Sequence, residues 1–354
     1  MTRRAYIDWL RGLAVAIMIE AHTIDSWITS TDKGRPYYHD LPFLAGWAAP
    51  LFLFLAGVAI PLAAASKMRR GLSLRQAGGD LQVRGWQIFG LAFAFRVYSF
   101  LLGPGKMSSD MLKPDILNVM GLAMVGTAYC WSRTDVRPSR LWRLALPALA
   151  IVVLTPLAVG WTWPSHLPPR LEAYVRPNGS GTFALLPWAA FVFAGAIVGD
   201  FIARARTDAD DTRLQVGCAL AGGLIAATAY AGSFVPSILP HSSFWTTSPS
   251  WFCIRAGVAT VMLPLAWLWM KRPTAAHWSP MLLFGRTSLF VYWIHVEIVY
   301  GFLTYPLRSA LSIEVWFVAY VVFTALLLGA AALWLHRSTG PLVPAHMTLA
   351  RDSA

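Results

Sequence analysis

The sequence predicts an all-α fold, a polytopic integral membrane bundle of about ten transmembrane helices, and three observations support this. Hydrophobic residues make up 56% of the 354 residues and charged residues only 13%, against roughly 25% charged in soluble domains. Apolar stretches of about 20 residues, long enough to cross a bilayer as helices, recur along the chain. The period-two alternation of a membrane β-barrel does not occur. We therefore expect a single integral domain over residues 1–354, because neither a soluble enzyme nor a disordered chain has this composition.

Ten apolar stretches are the predicted spans. They cover residues 7–27, 43–65, 85–103, 115–131, 142–160, 183–203, 214–233, 251–270, 281–304 and 313–335. If the N-terminus is cytoplasmic, 18 of the 29 Lys and Arg residues fall in cytoplasmic segments, 7 on the opposite side and 4 inside spans. This asymmetry follows the positive-inside rule, so both termini are predicted to be cytoplasmic. The net charge of +12 is then a consequence of topology, and membrane lipids, not nucleic acid, are the expected partners.

The first predicted helix carries ionisable residues on one face. Arg11 and His22 are 11 residues apart, close to three turns, so they share a face at a separation of about 16 Å. Asp8 lies one turn before Arg11 and is expected to pair with it. Asp25 lies one turn after His22 and is expected to hold one ring nitrogen, which would keep the other basic. The alternative is that His22 only hydrogen-bonds a neighbouring helix, while Glu20 faces away from this stripe.

The ninth predicted helix has a second polar face. Ser288, Tyr292 and His295 follow one another at spacings of 4 and 3 residues, which places them on one side of a helix. His295 is expected in the outer half of the membrane, at the depth of the histidine on the first helix. Arg286 and Glu297 are 11 residues apart and are expected to share another face. Interhelical hydrogen bonding is the competing explanation for Tyr292 and His295.

Further polar residues are predicted in the outer half of the bundle. Arg96, Asp115, Asn118 and Arg255 all lie there, and Asp115 has the additional reading of a helix N-cap. Arg96 and Arg255 are candidates to pair with the carboxylates of the first and ninth helices. Ionisable groups inside a membrane are costly and often functional. Because five spans contribute polar groups at a similar depth, we expect a water-filled cavity that opens outward.

The cytoplasmic side is rich in arginine, which indicates a site for a multiply anionic ligand because guanidinium groups bind phosphate in bidentate fashion. The candidates are Arg69, Arg70, Arg75, Arg84, Arg137 and Arg286. Lipid headgroups and membrane topology are the competing explanation for each of them. No phosphate-binding glycine loop, zinc-protease motif or serine-hydrolase motif accompanies them. The three cysteines lie in or at different spans without the spacing of a metal site, so no metal is expected.

Four blocks of the sequence resemble the heparan-alpha-glucosaminide N-acetyltransferase-like membrane proteins. They are residues 6–14 (YIDWLRGLA) followed by His22, 49–57 (APLFLFLAG), 115–122 (DILNVMGL) and 285–295 (GRTSLFVYWIH). The order of the blocks is that of the family, and they extend over nearly the whole transmembrane region. More distantly, the first block is similar to the bacterial membrane O-acyltransferases of surface polysaccharides.

This resemblance implies a transmembrane acyltransferase, here in a bacterial cytoplasmic (inner) membrane. Such proteins take acetyl-CoA or another acyl-CoA from the cytoplasm and acylate a sugar hydroxyl or amine, on a glycan or glycolipid, on the far side. In the polysaccharide O-acyltransferases a histidine eleven residues after the first-helix arginine is regarded as catalytic, and His22 matches it. In the lysosomal enzyme a histidine of the first loop is implicated instead. His39 occupies that loop here at a different spacing, so it ranks after His22.

The site residues are assigned on this basis. Catalysis is assigned to His22, Asp25, His295 and Asn118, acyl-CoA binding to Arg11, Arg286, Arg84, Arg69 and Arg70, and acceptor binding to Glu20, His39, Arg96, Arg255 and Glu297. His22 would deprotonate the acceptor while Asn118, His295 or Arg255 stabilises the oxyanion. A covalent acyl-histidine route is the alternative.

Two other classes of protein compete with the acyltransferase. A proton-coupled permease for a small polar or anionic solute would also need buried carboxylates and histidines, but the chain has no convincing repeat and no matched pair of broken helices. A structural, lipid-organising protein is the third class. Acyl chain length, the identity of the acceptor, and the choice between a monomer and a homodimer are open at this stage.

Overall fold

The structure is a computed structural model, and it describes residues 4–35, 38, 41–102, 112–177, 183–272 and 279–339. These residues form thirteen α-helices and no β-strand, apart from one isolated bridge between Ile28 and Leu311. The helices are α1 (Ala5–Trp27), α2 (Ser30–Lys33), α3 (Leu41–Arg69), α4 (Leu74–Leu102), α5 (Ile116–Trp131), α6 (Arg137–Val159), α7 (Pro169–Val175), α8 (Leu185–Arg204), α9 (Asp208–Gly232), α10 (Pro249–Met270), α11 (Pro280–Arg286), α12 (Ser288–Tyr300) and α13 (Ile313–Thr339). The predicted all-α class is therefore confirmed.

Each predicted span coincides with a helix or a pair of helices. Six of the described helices, α3, α6, α8, α9, α10 and α13, are long and apolar enough to cross a membrane, and α11 with α12 adds a seventh if the bent pair is one span. α1 carries two Asp, one Glu, one Arg and one His side chain, and α5 has only 16 residues. The prediction differs at the ninth span, where the chain bends by 92° at Thr287. Arg286 and Glu297 lie on either side of this bend and do not share a helix face.

The surface of the bundle is apolar where it would contact lipid. Large hydrophobic side chains on α9 and α13 are exposed, among them Val216, Leu220, Leu224, Val318, Leu326 and Leu333. A soluble protein does not expose continuous apolar faces of this extent. Together with the long apolar helices, these faces identify an integral membrane protein.

The helix α1 lies at the centre of the bundle. It packs against α3, α10, α11, α12 and α13, and its apolar residues Leu10, Val15 and Ile19 are at most 1% exposed. Two polar residues in the second half of α1 make hydrogen bonds to other helices. Thr23 accepts a hydrogen bond from the indole of Trp316 at 3.2 Å, and the hydroxyl of Ser26 donates to the backbone carbonyl of Val299 on α12 at 3.1 Å. Helices on several sides therefore fix the position of α1.

Close helix contacts in the bundle depend on glycine. A Cβ atom on Gly57 of α3 would overlap the carbonyl oxygen of Val192 on α8, and a Cβ atom on Gly285 of α11 would overlap the carbonyl oxygen of Asp8 on α1. Between transmembrane helices, where lipid removes most of the hydrophobic driving force, small residues allow the backbone approach that gives dispersion contacts. The second contact brings the bent ninth span directly against the beginning of α1.

A buried ion pair joins α6 to α8. Arg140 and Asp200 lie 3.0 Å apart with side chains 6% and 2% exposed, and the indole of Trp131 on α5 donates to the same carboxylate at 2.9 Å. Arg140 also donates to the backbone carbonyl of Thr134. All charged groups and donors of this cluster have partners, so its role is to join the ends of α5, α6 and α8, and it needs no ligand to account for it.

Candidate functional site

Two cavities lie between α1 and α3, one at each end of this helix pair. Each has a volume of about 520 Å³. The cavity beside the end of α1 contains His22 and is called the histidine cavity. The cavity beside the beginning of α1 contains Arg4, Arg11, Arg69 and Arg70 and is called the basic cavity. The corresponding ends of the bundle are the histidine end and the basic end.

Two histidines from different helices meet at the wall of the histidine cavity. Nδ1 of His22 on α1 lies 2.9 Å from Nε2 of His295 on α12, and the two rings are nearly parallel, with an interplanar angle of 7°. His22 is partly exposed and lines the cavity, whereas His295 is completely buried behind it. The structure therefore brings together two residues that the sequence placed only at a similar depth.

The hydrogen bonds of His295 determine which nitrogen of His22 is basic. Nδ1 of His295 lies 2.7 Å from the carbonyl oxygen of Val291, and since a carbonyl oxygen only accepts, this nitrogen carries the proton. Nε2 of neutral His295 is then an acceptor, so Nδ1 of His22 donates to it. Neutral His22 is left with an unprotonated Nε2, and none of the described residues makes a hydrogen bond to that atom. This is the arrangement of a general base whose tautomer is held by a second residue.

Asp25 does not occupy the position expected for it. Its carboxylate accepts a hydrogen bond from the hydroxyl of Tyr300 at 2.8 Å, and among the described side chains it makes no hydrogen bond to His22. The Tyr300 ring stands edge-on to the His22 ring, with centroids 5.6 Å apart. The partner that holds the His22 ring is His295, because residues three apart on one helix point outward side by side while a facing helix can present a nitrogen directly.

Tyr292 and Tyr300 form the α12 wall of the histidine cavity, together with Val296. The hydroxyl of Tyr292 donates to Asp115 at 3.0 Å, and Asp115 also caps α5 in a capping box with Asn118. These three α12 residues are spaced i, i+4 and i+8, so they form one stripe along the helix. Sequence reasoning assigned no role to Tyr300, although this periodicity, extended from Tyr292, is the signal that identifies it.

Arg96 is the cation of the histidine cavity. Arg96 lines the cavity, and its Nε atom is buried without a hydrogen-bond partner among the described residues. Asp115 is the carboxylate in the same wall, already engaged by Tyr292 and by the backbone of α5. Arg96 is therefore the charged donor that remains available to a bound molecule. The rest of the wall is mostly apolar, with Phe52 and Phe95 on opposite helices.

Several predicted site residues lie outside the wall of the histidine cavity. Asn118 is buried and its Oδ1 accepts from the backbone of Asp115 at 3.0 Å, so its carbonyl group serves the helix cap. Arg255 is held by the rings of Trp47 and Trp251, with its Cζ atom 5.1 and 4.5 Å from their centroids.

Three other predictions concern the acceptor site. Glu297 accepts a hydrogen bond from Ser99, which itself lines the cavity and was not identified from the sequence. Glu20 is partly exposed and is not part of the cavity wall. His39 lies outside the described residues.

The basic cavity brings together three of the five arginines predicted to bind acyl-CoA. Arg11 is paired with Asp8 at 2.9 Å, the ion pair expected from their spacing. Arg69 and Arg70, at the end of α3, are exposed, and their side chains make no hydrogen bond or ion pair within the described part of the chain. Arg4, paired with Asp211, completes the set and was missed because the pairing of α1 with α9 was not predictable.

The other two predicted arginines are elsewhere. Arg84 is exposed on α4, where it donates to Gln87 at 3.3 Å. Arg286 is exposed at the end of α11. Neither lines the basic cavity. Among the residues that the structure describes, no group of three or more His, Cys, Asp or Glu side chains is placed to hold a metal ion.

Comparison with known protein families identifies one family that the chain matches. Residues 3–233 match the family model described as heparan-alpha-glucosaminide N-acetyltransferase, catalytic. The match includes α1, α3 and α5 and ends at the close of α9, so it covers the first histidine and the arginines of both cavities. A comparison with curated proteins found no match.

Proposed function

Because the chain belongs to the heparan-alpha-glucosaminide N-acetyltransferase catalytic family and is thus a membrane acetyltransferase, we propose that it moves an acetyl or acyl group from cytoplasmic acyl-CoA to a sugar hydroxyl or amine on the extracytoplasmic side. The basic end of the bundle then faces the cytoplasm, in a bacterial inner membrane, and the histidine end faces outward. The acceptor is a glycan or an amino sugar.

The observation that carries this proposal is the unprotonated Nε2 of His22 in the wall of a cavity. A neutral imidazole whose other nitrogen is fixed by a hydrogen bond is a general base of the kind that acyl transfer requires. The hydrogen-bond series from Val291 through His295 to His22 sets this tautomer without a carboxylate. His295 is therefore the positioning residue of the proposed base, in place of Asp25.

The proposed reaction uses these groups in two steps. Nε2 of His22 takes the proton of the acceptor O–H or N–H while the acceptor attacks the thioester carbonyl carbon, and Arg96 stabilises the oxyanion. The C–S bond then breaks, and the leaving thiolate takes the proton from His22, which restores the neutral base and releases CoA as a thiol. In the alternative route, Nε2 itself attacks the thioester carbonyl carbon, the C–S bond breaks as CoA leaves as a thiolate, and the acceptor then takes the acyl group from the acyl-imidazole.

The basic cavity is the proposed site for the phosphates of the donor. Arg69 and Arg70 are exposed and without partners among the described residues, and Arg11 lies deeper on α1. Guanidinium groups bind phosphate with two parallel hydrogen bonds, which suits several arginines around one anionic headgroup. About 16 Å of helix separates Arg11 from His22, so an extended thioester arm would connect the two cavities.

The test is acetyl transfer by the purified protein in lipid nanodiscs, with radiolabelled acetyl-CoA and an amino-sugar acceptor. His22→Ala is expected to reduce the rate by at least about 100-fold, the usual contribution of a general base. His336→Ala is the matched control, because His336 is exposed near the end of α13. An unchanged rate for His22→Ala would refute the assignment. Mass spectrometry of cell-envelope glycans with and without the protein then identifies the acyl group and its acceptor.

The permease remains the second candidate because the two cavities lie at opposite ends of one helix pair, as alternating access would require. Acyl-CoA binding separates the two functions. An acyltransferase binds acyl-CoA with an affinity that falls when Arg69 and Arg70 are replaced, whereas a permease for a small solute has no reason to bind it.

A further inference from the structure

The two cavities follow one groove along α1 and α3. On α1 the wall of the basic cavity ends at Arg11 and that of the histidine cavity begins at Met18. On α3 the corresponding residues are Ala59 and Phe52. Each gap spans seven residues, which is about 10 Å along a helix. Because the gap is the same on both helices, the cavities are separated by one short barrier at a single depth.

Helical periodicity identifies the side chains of this barrier. The stripe on α1 that lines both cavities continues through Ala14 and Val15, and the stripe on α3 continues through Leu55 and Ala56. Val15 and Leu55 are 0% exposed and Ala14 is 1% exposed. None of the four side chains carries a polar atom. The part of the barrier that α1 and α3 contribute is therefore two branched apolar side chains flanked by two methyl groups.

We propose that Val15 and Leu55 form the closed gate of a single passage that joins the two cavities, and that the passage admits an unbranched thioester arm. This proposal rests on the proposed function for the identity of the arm, whereas the gate itself rests on the two cavities and their shared groove. Rotation of the two side chains toward the neighbouring Ala14 and Ala56 widens the groove without moving a helix. The opened passage is lined by apolar atoms, so an anionic headgroup stays in the basic cavity.

The closed gate has a physical consequence for the histidine pair. An apolar seal keeps the water of the two cavities apart, since no polar group in the barrier can hold a connecting water molecule. A molecule that enters at the basic end therefore contacts His22 only through an arm that extends along the passage. A bare ion or proton meets an energetic barrier there, because apolar surroundings disfavour charge.

The gate is tested by labelling a cysteine in the histidine cavity from the basic end. Ala48, which lines that cavity, is changed to cysteine in protein whose Cys130, Cys218 and Cys253 are alanine. A membrane-impermeant thiol reagent is added to sealed vesicles on the side that carries the basic end. Labelling is expected to be slow in this protein and about tenfold faster or more after Leu55→Ala, because the open form is then no longer a minor state.

Matched substitutions separate the gate from general loosening. Leu53 is also 0% exposed on α3 but lies about 160° around the helix from Leu55, so Leu53→Ala should leave labelling slow. Val15→Ala, which should speed labelling, and Val58→Ala, which should leave it slow, form a milder pair in case Leu55→Ala does not fold. Equal labelling rates in both members of both pairs would overturn the gate.

The occupant is tested in the same vesicles. Acetyl-CoA is expected to slow labelling of the Leu55→Ala protein from the basic end back to about the rate before that substitution, while adenosine 3′,5′-bisphosphate, which lacks the arm, leaves labelling fast. Equal protection by both compounds would show that the arm does not enter the passage. Acetyl transfer is measured separately, so absent transfer overturns the proposed function while fast labelling of the Leu55→Ala protein still supports the gate.

Discussion

The two cavities beside α1 differ in how their ionisable groups are held. In the histidine cavity, His22, His295 and Asp115 are bound to specific partners from other helices, with donor and acceptor roles that follow from geometry. In the basic cavity, Arg4 and Arg11 are paired with carboxylates, but the exposed side chains of Arg69 and Arg70 have no partner among the described residues. Fixed groups in a low-dielectric wall suit chemistry, whereas exposed cations without partners suit attraction of an anionic ligand.

This difference predicts different kinetic signatures for the two ends. A substitution at the histidine end should lower kcat, because it disturbs atoms that act on the reacting groups. A substitution at the basic end should raise KM for the donor and leave kcat nearly unchanged. The following predictions test that division, from the largest expected effect to the smallest.

Removing the positioning histidine should have the largest effect. His295→Ala is expected to lower kcat about 100-fold with little change in KM for acetyl-CoA, because Nδ1 of His22 loses its acceptor and the tautomer is no longer set. His295→Gln, whose amide oxygen can accept the same hydrogen bond, should recover about tenfold of this loss. Steady-state kinetics of the three proteins measure the effect. If the Ala and Gln variants are equally impaired and equally less stable, His295 has a purely structural role.

The contact between α11 and the beginning of α1 should be the most sensitive to added volume. Gly285→Ala places a methyl group on the carbonyl oxygen of Asp8, and overpacking of this kind costs about 1–3 kcal/mol of unfolding free energy. Gly79→Ala in α4 is the control, since nothing lies within 4 Å of the added Cβ there. Thermal unfolding in detergent compares the two proteins. Equal midpoints would contradict the close packing of α11 on α1.

Replacing the two exposed arginines of the basic cavity should weaken donor binding. Arg69→Ala with Arg70→Ala is expected to raise KM for acetyl-CoA about tenfold, since a charge-assisted hydrogen bond contributes about 1.5–3 kcal/mol. Arg84→Ala is the matched control, being an exposed arginine that does not line the cavity. The effect should shrink as salt is raised. A larger fall in kcat than rise in KM would place these arginines in the chemical step.

The smallest effect is expected at Asp25. Asp25→Asn keeps an oxygen that accepts the hydrogen bond of Tyr300, so the rate should fall about threefold or less, within the range of one modest hydrogen bond. Tyr300→Phe, which removes the donor of the same bond, should behave alike. Transfer assays of both variants decide the point. A loss for Asp25→Asn as large as that for His22→Ala would mean that this carboxylate acts on His22 directly during the reaction.

The positions of the long helices could be predicted from the sequence because each helix depends on a local property of the chain. Helix α5 begins at the capping pair of Asp115 and Asn118 and coincides with the predicted span to within a residue. The pairing of Asp8 with Arg11 was predictable for the same reason, as one helical turn fixes their separation. The bend at Thr287 could not be predicted, because one continuous helix and two helices that meet at 92° have the same apolar composition.

Composition and periodicity alone determined that this chain forms a bundle of membrane helices, that Asp8, Arg11, His22 and Asp25 share one stripe of α1, and that His22 and His295 lie at similar depth. The tertiary structure alone decided that these two rings share a hydrogen bond, that Tyr300 engages Asp25, and that Arg69 and Arg70, not Arg84 and Arg286, flank Arg11. The physical reason is range. Turn geometry and bilayer thickness act over a few residues, whereas the partner of a side chain depends on which helix faces which, and that is set by packing across the whole bundle.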